Sequence, residues 1–196
     1  MAAMSTMLEL GTPAPDFTLL EVADGSQVSL GDFDDAAVLV VAFLCRHCPY
    51  VKHVQDRFAA LARDYQQRGV AFVGIASNDA DAFPDDAPDR LADQKRDVGF
   101  TFPYLFDETQ AIARAYRAAC TPDFFVFDRD RRLAYRGRMD ETRPDRGEPT
   151  GQDLAAALDA LLAGEPAPTE QHPSMGCSIK WRPGNEPPSP GLPQVT

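Results

Sequence analysis

The chain has 196 residues, 44% apolar and 25% charged, which suits one globular domain with a buried core and some length to spare. A net charge of −11 with no basic stripe excludes a surface that binds nucleic-acid phosphates, and the excess acid reads as solubility. No run reaches the roughly 18 apolar residues needed to span a bilayer. Met1 to Leu10 has neither the basic start nor the cleavage site of a secretory signal, so a cytoplasmic protein with no membrane partner is expected. Four cysteines are too few for a disulfide scaffold at this length; they read as thiols, metal ligands or redox catalysts.

In chain order, Thr12 to Asp16 is extended and proline-bound, and Phe17–Leu20 with Gln27–Leu30 around Asp24-Gly25-Ser26 forms a short hairpin. Ala36 to Leu44 is an unbroken apolar run, the signature of a central strand covered on both faces. From Cys48 to Arg68 the spacing turns helical, with Val51, Val54, Phe58, Leu61 and Tyr65 on one stripe. Val70 to Ala76 is a second buried strand, which completes a right-handed crossover unit. The acidic stretch Asp79 to Asp89 reads as a solvated loop, followed by a helix near Asp89 to Val98. Phe102–Phe106 is a third strand, Glu108–Ala118 a helix, and Asp123–Phe127 with Leu133–Arg136 an antiparallel hairpin. Arg138 and Asp140 read as a surface or structural pair. Gln152–Leu162 is the last amphipathic helix, closed by Gly164. Beyond it the composition shifts to Pro, Gly and Ser, although Met175 to Trp181 is too apolar for a free linker. The expected division is a domain over 8–164 and a Pro-rich extension over 165–196 that docks at least in part.

The chemistry centres on Cys45-Arg46-His47-Cys48, a Cys-x-x-Cys between strand and helix. The spacing brings both sulfurs to one face, Cys45 near the helix N-cap and Cys48 in the first turn, where orphan N–H groups and the helix dipole favour a thiolate. Cysteines in such places have pKa values lowered to about 3.5–7.5. Arg46 and His47 add to the effect, which predicts a depressed pKa at Cys45 and a disulfide more oxidising than that of ordinary thioredoxin. A zinc knuckle needs a second pair at similar spacing, and Cys120 and Cys177 each stand alone, so no metal is assigned, though four sulfurs converging on a metal or cluster is the non-catalytic alternative.

Gly11 to Phe17, Cys45 to Pro49 and Cys120-Thr121-Pro122-Asp123 together resemble the AhpC/TSA, peroxiredoxin-like branch of the thioredoxin superfamily. Phe102 to Asp128 and Gly176 to Trp181 are similar to a subgroup of that branch that keeps a Cys-x-x-Cys. The resemblance implies an α/β thioredoxin-like fold: a central mixed sheet flanked by helices, with the N-terminal hairpin and the C-terminal extension added. It also implies that Cys45 attacks and a buried Cys48 resolves, that Pro122 is cis and faces the pair, and that Thr121 offers its backbone edge to an extended substrate.

A peroxiredoxin surrounds its peroxidatic cysteine with a preceding Pro, a Thr or Ser three residues earlier and an Arg. Superposed on Cys48, those positions hold Val41, Cys45 and Pro122. Thiol–disulfide exchange therefore ranks above peroxide reduction, with a disulfide-bearing protein or small thiol compound as substrate, an external reductant and no cofactor. The apolar strand before the motif offers no buried carboxylate, so His47 is the candidate proton acceptor. Cys120 and Cys177 are candidate accessory thiols.

Overall fold

The computed structural model describes residues 2–187; the end of the Pro-rich extension, 188–196, lies outside the described residues. The chain opens with β1 (Ala2–Met4), followed by the hairpin β2 (Thr18–Glu21) and β3 (Gln27–Ser29). The core unit is β4 (Val38–Phe43), α1 (Pro49–Gln66) and β5 (Val70–Ala76). Next come α2 (Pro88–Val98), β6 (Tyr104–Phe106) and the short α3 (Ala111–Ala115). β7 (Cys120–Thr121) leads into the hairpin β8 (Asp123–Phe127) and β9 (Leu133–Gly137); α4 (Gln152–Leu162) and β10 (Met175–Ser178) complete the described chain.

The main sheet has the order β3-β2-β6-β5-β4-β8-β9, with β4, β5 and β6 parallel and the other pairings antiparallel. β4 is central and buried at all six positions, and the two-residue period of a strand explains its unbroken apolar run. Val38, Val40 and Ala42 join the layer that contains α1, α2 and α4. Leu39, Val41 and Phe43 join the opposite layer, with Ala113 and Tyr116 from the α3 region and Phe17 and Phe33 from the N-terminal segment. A second, small sheet has the order β1-β10-β7, so the strands Ala2–Met4 and Met175–Ser178 come together beside Cys120 and Thr121. No helix among the described residues is long and apolar enough to cross a membrane.

Several boundaries differ from the sequence expectation for local reasons. The third strand begins at Tyr104 because Pro103 has no N–H to give, although its carbonyl still accepts from Gly74. The helix expected over 108–118 shrinks to Ala111–Ala115, because Gln110 takes a left-handed conformation (φ 61°) and spends its side chain on distant carbonyls. Arg138 and Asp140 do not pair. Arg138 binds Asp153 at 2.6 Å, whereas Asp140 accepts from the backbone N–H groups of Thr142, Thr150 and Gly151.

Candidate active site

β4 runs out at the edge of the core, and the chain turns through Arg46 and His47 before α1 begins. Pro49 has no N–H to satisfy and takes the first helical position, which makes Cys48 the N-cap (φ −69°, ψ 125°) instead of a first-turn residue. Cys45 lies ahead of the helix, its carbonyl accepting from Gln94 Nε2 at 3.3 Å. The Thr121–Pro122 peptide is cis, and Thr121 touches both sulfurs. Its hydroxyl lies 3.1 Å from Cys45 Sγ, and its carbonyl lies 3.2 Å from Cys48 Sγ. Strand end, helix start and the cis-Pro loop thus meet at one pair of thiols.

The ionisation order is the reverse of the one expected. Cys45 is pushed well up, first by its hydrogen bond to Cys48, then by burial and by the charge of Asp86, with only the Thr121 hydroxyl working the other way. Cys48 is drawn down to about 5, first by the hydrogen bond from Cys45, and also by hydrogen bonds from Cys177 and from the Val51 N–H in the first turn of α1. One contact opposes this: a Cys48 thiol would donate to the Thr121 carbonyl, and a thiolate cannot. Several donors converge on Cys48, whereas Cys45 has the single hydroxyl of Thr121 and a carboxylate nearby. We therefore place the shared negative charge on Cys48.

Arg46 and His47 are held by a residue that the sequence reading left in solvent. Asp86 is fully buried. Its carboxylate accepts the backbone N–H of Arg46 at 2.8 Å and of His47 at 3.3 Å, and Asn78 Nδ2 at 2.8 Å. His47 Nδ1 lies 2.6 Å from the same group. Most of the stretch 79–89 is exposed, as a solvated loop would be, but Pro84–Asp86 forms a 3-10 turn, and Asp79 and Asp86 are buried. Two prolines bracketing Asp85-Asp86-Ala87 were the signal available in the sequence, because they fix the backbone that carries the acid. His47 also stacks on Phe83, with ring centroids 5.7 Å apart. Arg46 leans toward Asp85, 3.8 Å away, at the surface. Cys45 Sγ, a ring nitrogen of His47 and an oxygen of Asp86 lie within 4.8 Å of one another, three donors of the kind that can hold a metal ion.

A second buried carboxyl also escaped the sequence reading. Asp123 follows the cis-Pro and pairs with Phe43 across the sheet; neither of its oxygens finds a hydrogen-bond partner. Burial raises its pKa to about 8, outweighing weak contacts with Ser174 and neighbouring backbone N–H groups. A charged residue opening the otherwise apolar strand DFFVF was its trace in the sequence.

The edge of β7 does not stand open. β10 pairs with it antiparallel, with Cys177 opposite Thr121 and Ser178 opposite Cys120. Thr121 therefore has no free backbone edge for a substrate segment here, and Cys45 and Cys48 are both 0% exposed. Cys120 is buried too, its Sγ 3.7 Å from the Pro122 carbonyl, and burial pushes its thiol well up. Cys177 alone of the four is partly exposed. A cleft of about 170 Å³ opens beside Pro122, lined by Tyr50, His53, Arg138 and Met175 among others, but neither Cys45 nor Cys48 lines it.

Residues 10–136 match the AhpC/TSA family. The chain belongs to the AhpC/TSA family. It is 32% identical over 114 residues, 58% of this chain and 67% of the other, to a Mycobacterium tuberculosis protein that carries a peroxiredoxin name. The crystal structure of an uncharacterized conserved protein from Geobacillus kaustophilus matches with a TM-score of 0.92 at 52% identity, covering 94% of this chain and 98% of that one. A thioredoxin-family thiol:disulfide interchange protein from Chlorobium tepidum shares the fold at 20% identity, with a TM-score of 0.61 over 79% of this chain and 98% of its own. This AhpC/TSA protein therefore has a thioredoxin-like fold and a thiol-based redox function.

Proposed function

We propose that this AhpC/TSA protein is a thiol–disulfide oxidoreductase in which Cys45 and Cys48 cycle between dithiol and disulfide. The observation that carries the reading is the contact of one residue, Thr121 of the cis-Pro loop, with both sulfurs where α1 begins. A thiolate of the pair attacks a substrate disulfide, a mixed disulfide forms, and the second cysteine displaces the product thiol to leave Cys45–Cys48 oxidised. An external thiol reductant then restores the dithiol. Peroxide reduction is the weaker reading, because the proline, hydroxyl and arginine positions around a peroxidatic cysteine hold Val41, Cys45 and Pro122, and Arg46 is drawn to Asp85. We assign the cytoplasm, where unpaired cysteines stay reduced and thiol reductants are abundant.

A metal-binding reading has one observation behind it, the proximity of Cys45, His47 and Asp86. Against it, the short His47–Asp86 contact already occupies two of the three donors, and a structural zinc site takes four. Reduction of a small disulfide and consumption of hydrogen peroxide, each measured on wild type, C45S and C48S, separate the enzymatic readings. Disulfide turnover lost in both variants supports exchange; peroxide turnover with no disulfide turnover overturns it. A stoichiometric metal in anaerobically purified protein would favour the third reading.

A further inference from the structure

The strap formed by β10 is built to lie against the redox pair. Gly176 passes so close to the cis-Pro loop that a Cβ there would overlap the Thr121 carbonyl, and a Cβ at Gly137 would likewise overlap the His172 carbonyl. Beyond β10, the Lys180 N–H donates to Asn78 Oδ1 at 2.8 Å, its carbonyl accepts from Gln110 Nε2 at 2.8 Å, and the Arg182 N–H donates to Gln110 Oε1 at 2.7 Å. Asn78 in turn binds Asp86, the residue that shapes the Cys45–Cys48 turn. The strap is thus wired into the motif's own support, and it delivers one side chain with redox chemistry, Cys177.

Register fixes where that side chain sits. Cys177 is opposite Thr121, the residue that touches both Cys45 and Cys48, and it packs against the core cluster that contains them. Its thiol lies close enough to Cys48 to help draw that thiol down. Cys48 therefore has a sulfur neighbour on each side, Cys45 inward and Cys177 outward, and only the outward one reaches solvent. Two buried thiols with one partly exposed thiol in contact form a path for exchange, because each transfer needs only a thiolate next to a disulfide sulfur.

We propose that Cys177 is a third redox thiol, which exchanges with the Cys45–Cys48 disulfide at Cys48 and so carries the bond outward to where a low-molecular-mass thiol can reduce it. The proposal rests on the exchange reading above and supplies its missing route from a buried pair to a reductant. In the first step Cys177 thiolate attacks Cys48 Sγ. The Cys48–Cys177 bond forms, the Cys45–Cys48 bond breaks, and Cys45 leaves as a thiolate that takes up the proton Cys177 gave away. No net oxidation occurs. In the second step the thiolate of a small thiol attacks Cys177 Sγ, and Cys48 leaves as a thiolate. A second small thiol then attacks the sulfur of the first, freeing Cys177 and leaving one small-molecule disulfide. Two electrons pass from the two small thiols to the protein disulfide, and their two protons end on protein cysteines or in solvent.

The donors at Cys48 make it a good leaving group in the second step. Cys177 is held up to about 11 by burial and then by its hydrogen bond to Cys48 and that thiolate's charge, whereas Lys180 lowers it. The contributions from Cys48 vanish once Cys48 is oxidised, so Cys177 becomes more acidic in the form in which it must attack.

The test is a disulfide map of the full chain after diamide oxidation, with glutathione as the small thiol. In wild type, Cys45–Cys48 or Cys48–Cys177 cross-links are expected; in C45S, Cys48–Cys177 alone. Oxidised C177S should be reduced by glutathione about tenfold or more slowly than wild type. The relay is overturned if C45S leaves Cys177 unlinked or links Cys48 to Cys120, or if C177S is reduced as fast as wild type or faster. The last result would mean that the strap only shields the pair. If wild type forms no cross-link involving Cys48, it is the exchange reading that fails.

Discussion

His47 Nδ1 lies 2.6 Å from Asp86 Oδ2, and the same buried carboxylate holds the backbone N–H groups of Arg46 and His47. The two residues between the redox cysteines are thus fixed from outside the motif. Asp86→Asn turns one acceptor into a donor facing donors, and should destabilise the fold by about 1–3 kcal/mol. It also removes a charge that raises Cys45, so the second ionisation of the cysteine pair should move to lower pH. Denaturant unfolding and ultraviolet thiolate absorbance check the two halves. Unchanged stability together with an unchanged titration would show that Asp86 is a bystander.

Cys48, drawn down to about 5, should give a thiolate absorbance step near that pH in wild type and none in C48S. The sign for stability follows from the same shift. The folded value lies below the unfolded value of 9.0, so ionisation of Cys48 stabilises the fold fully above about pH 9, and that contribution is lost as pH falls through about 5. The stability of wild type relative to C48S should therefore rise between pH 5 and 9. A single titration step near pH 9 would contradict the assignment of the charge.

How far the sequence spoke for itself depended on the range of the interaction. β4 was legible because a strand covered on both sides needs no polar position, and Gln152–Leu162 was legible from its helical period and closing glycine. The cysteine pair was legible because its members are three residues apart. Asp86 was not, because an acid in an acidic stretch looks solvated until His47, 39 residues away in sequence, is brought against it. The strap was half legible. Its apolar residues marked it as more than linker, but its place on the edge of β7 depends on a backbone approach that only Gly176 permits.

Asp123 is a test of burial without compensation. Its folded pKa of about 8 lies above the ordinary value of 3.8, so the native state holds a proton that the unfolded chain releases. Its contribution is favourable below about pH 4 and is lost as pH rises through about 8. Asp123→Asn, similar in shape and never charged, should therefore stabilise the protein at pH 7 by about 2–4 kcal/mol. The gain should shrink as pH approaches 4. Equilibrium unfolding at several pH values measures it. An equal effect at all pH values would mean that Asp123 is not protonated in the fold.

Gly176→Val tests whether the strap controls access. The added side chain would overlap the Thr121 carbonyl, so β10 must lift from β7. The loss should be about 1–3 kcal/mol, because strap contacts are given up while the seven-stranded sheet stays intact. Lifting β10 uncovers both sulfurs and the backbone edge of Thr121. Alkylation of the reduced pair by iodoacetamide should then speed up about tenfold or more, as for groups freed from a protected state. The freed edge can pair with an extended peptide, so reduction of a protein disulfide such as insulin should rise more than reduction of a small disulfide. A variant that folds, keeps the wild-type alkylation rate and shows no change in substrate preference would mean that reagents reach Cys45 and Cys48 without passing the strap.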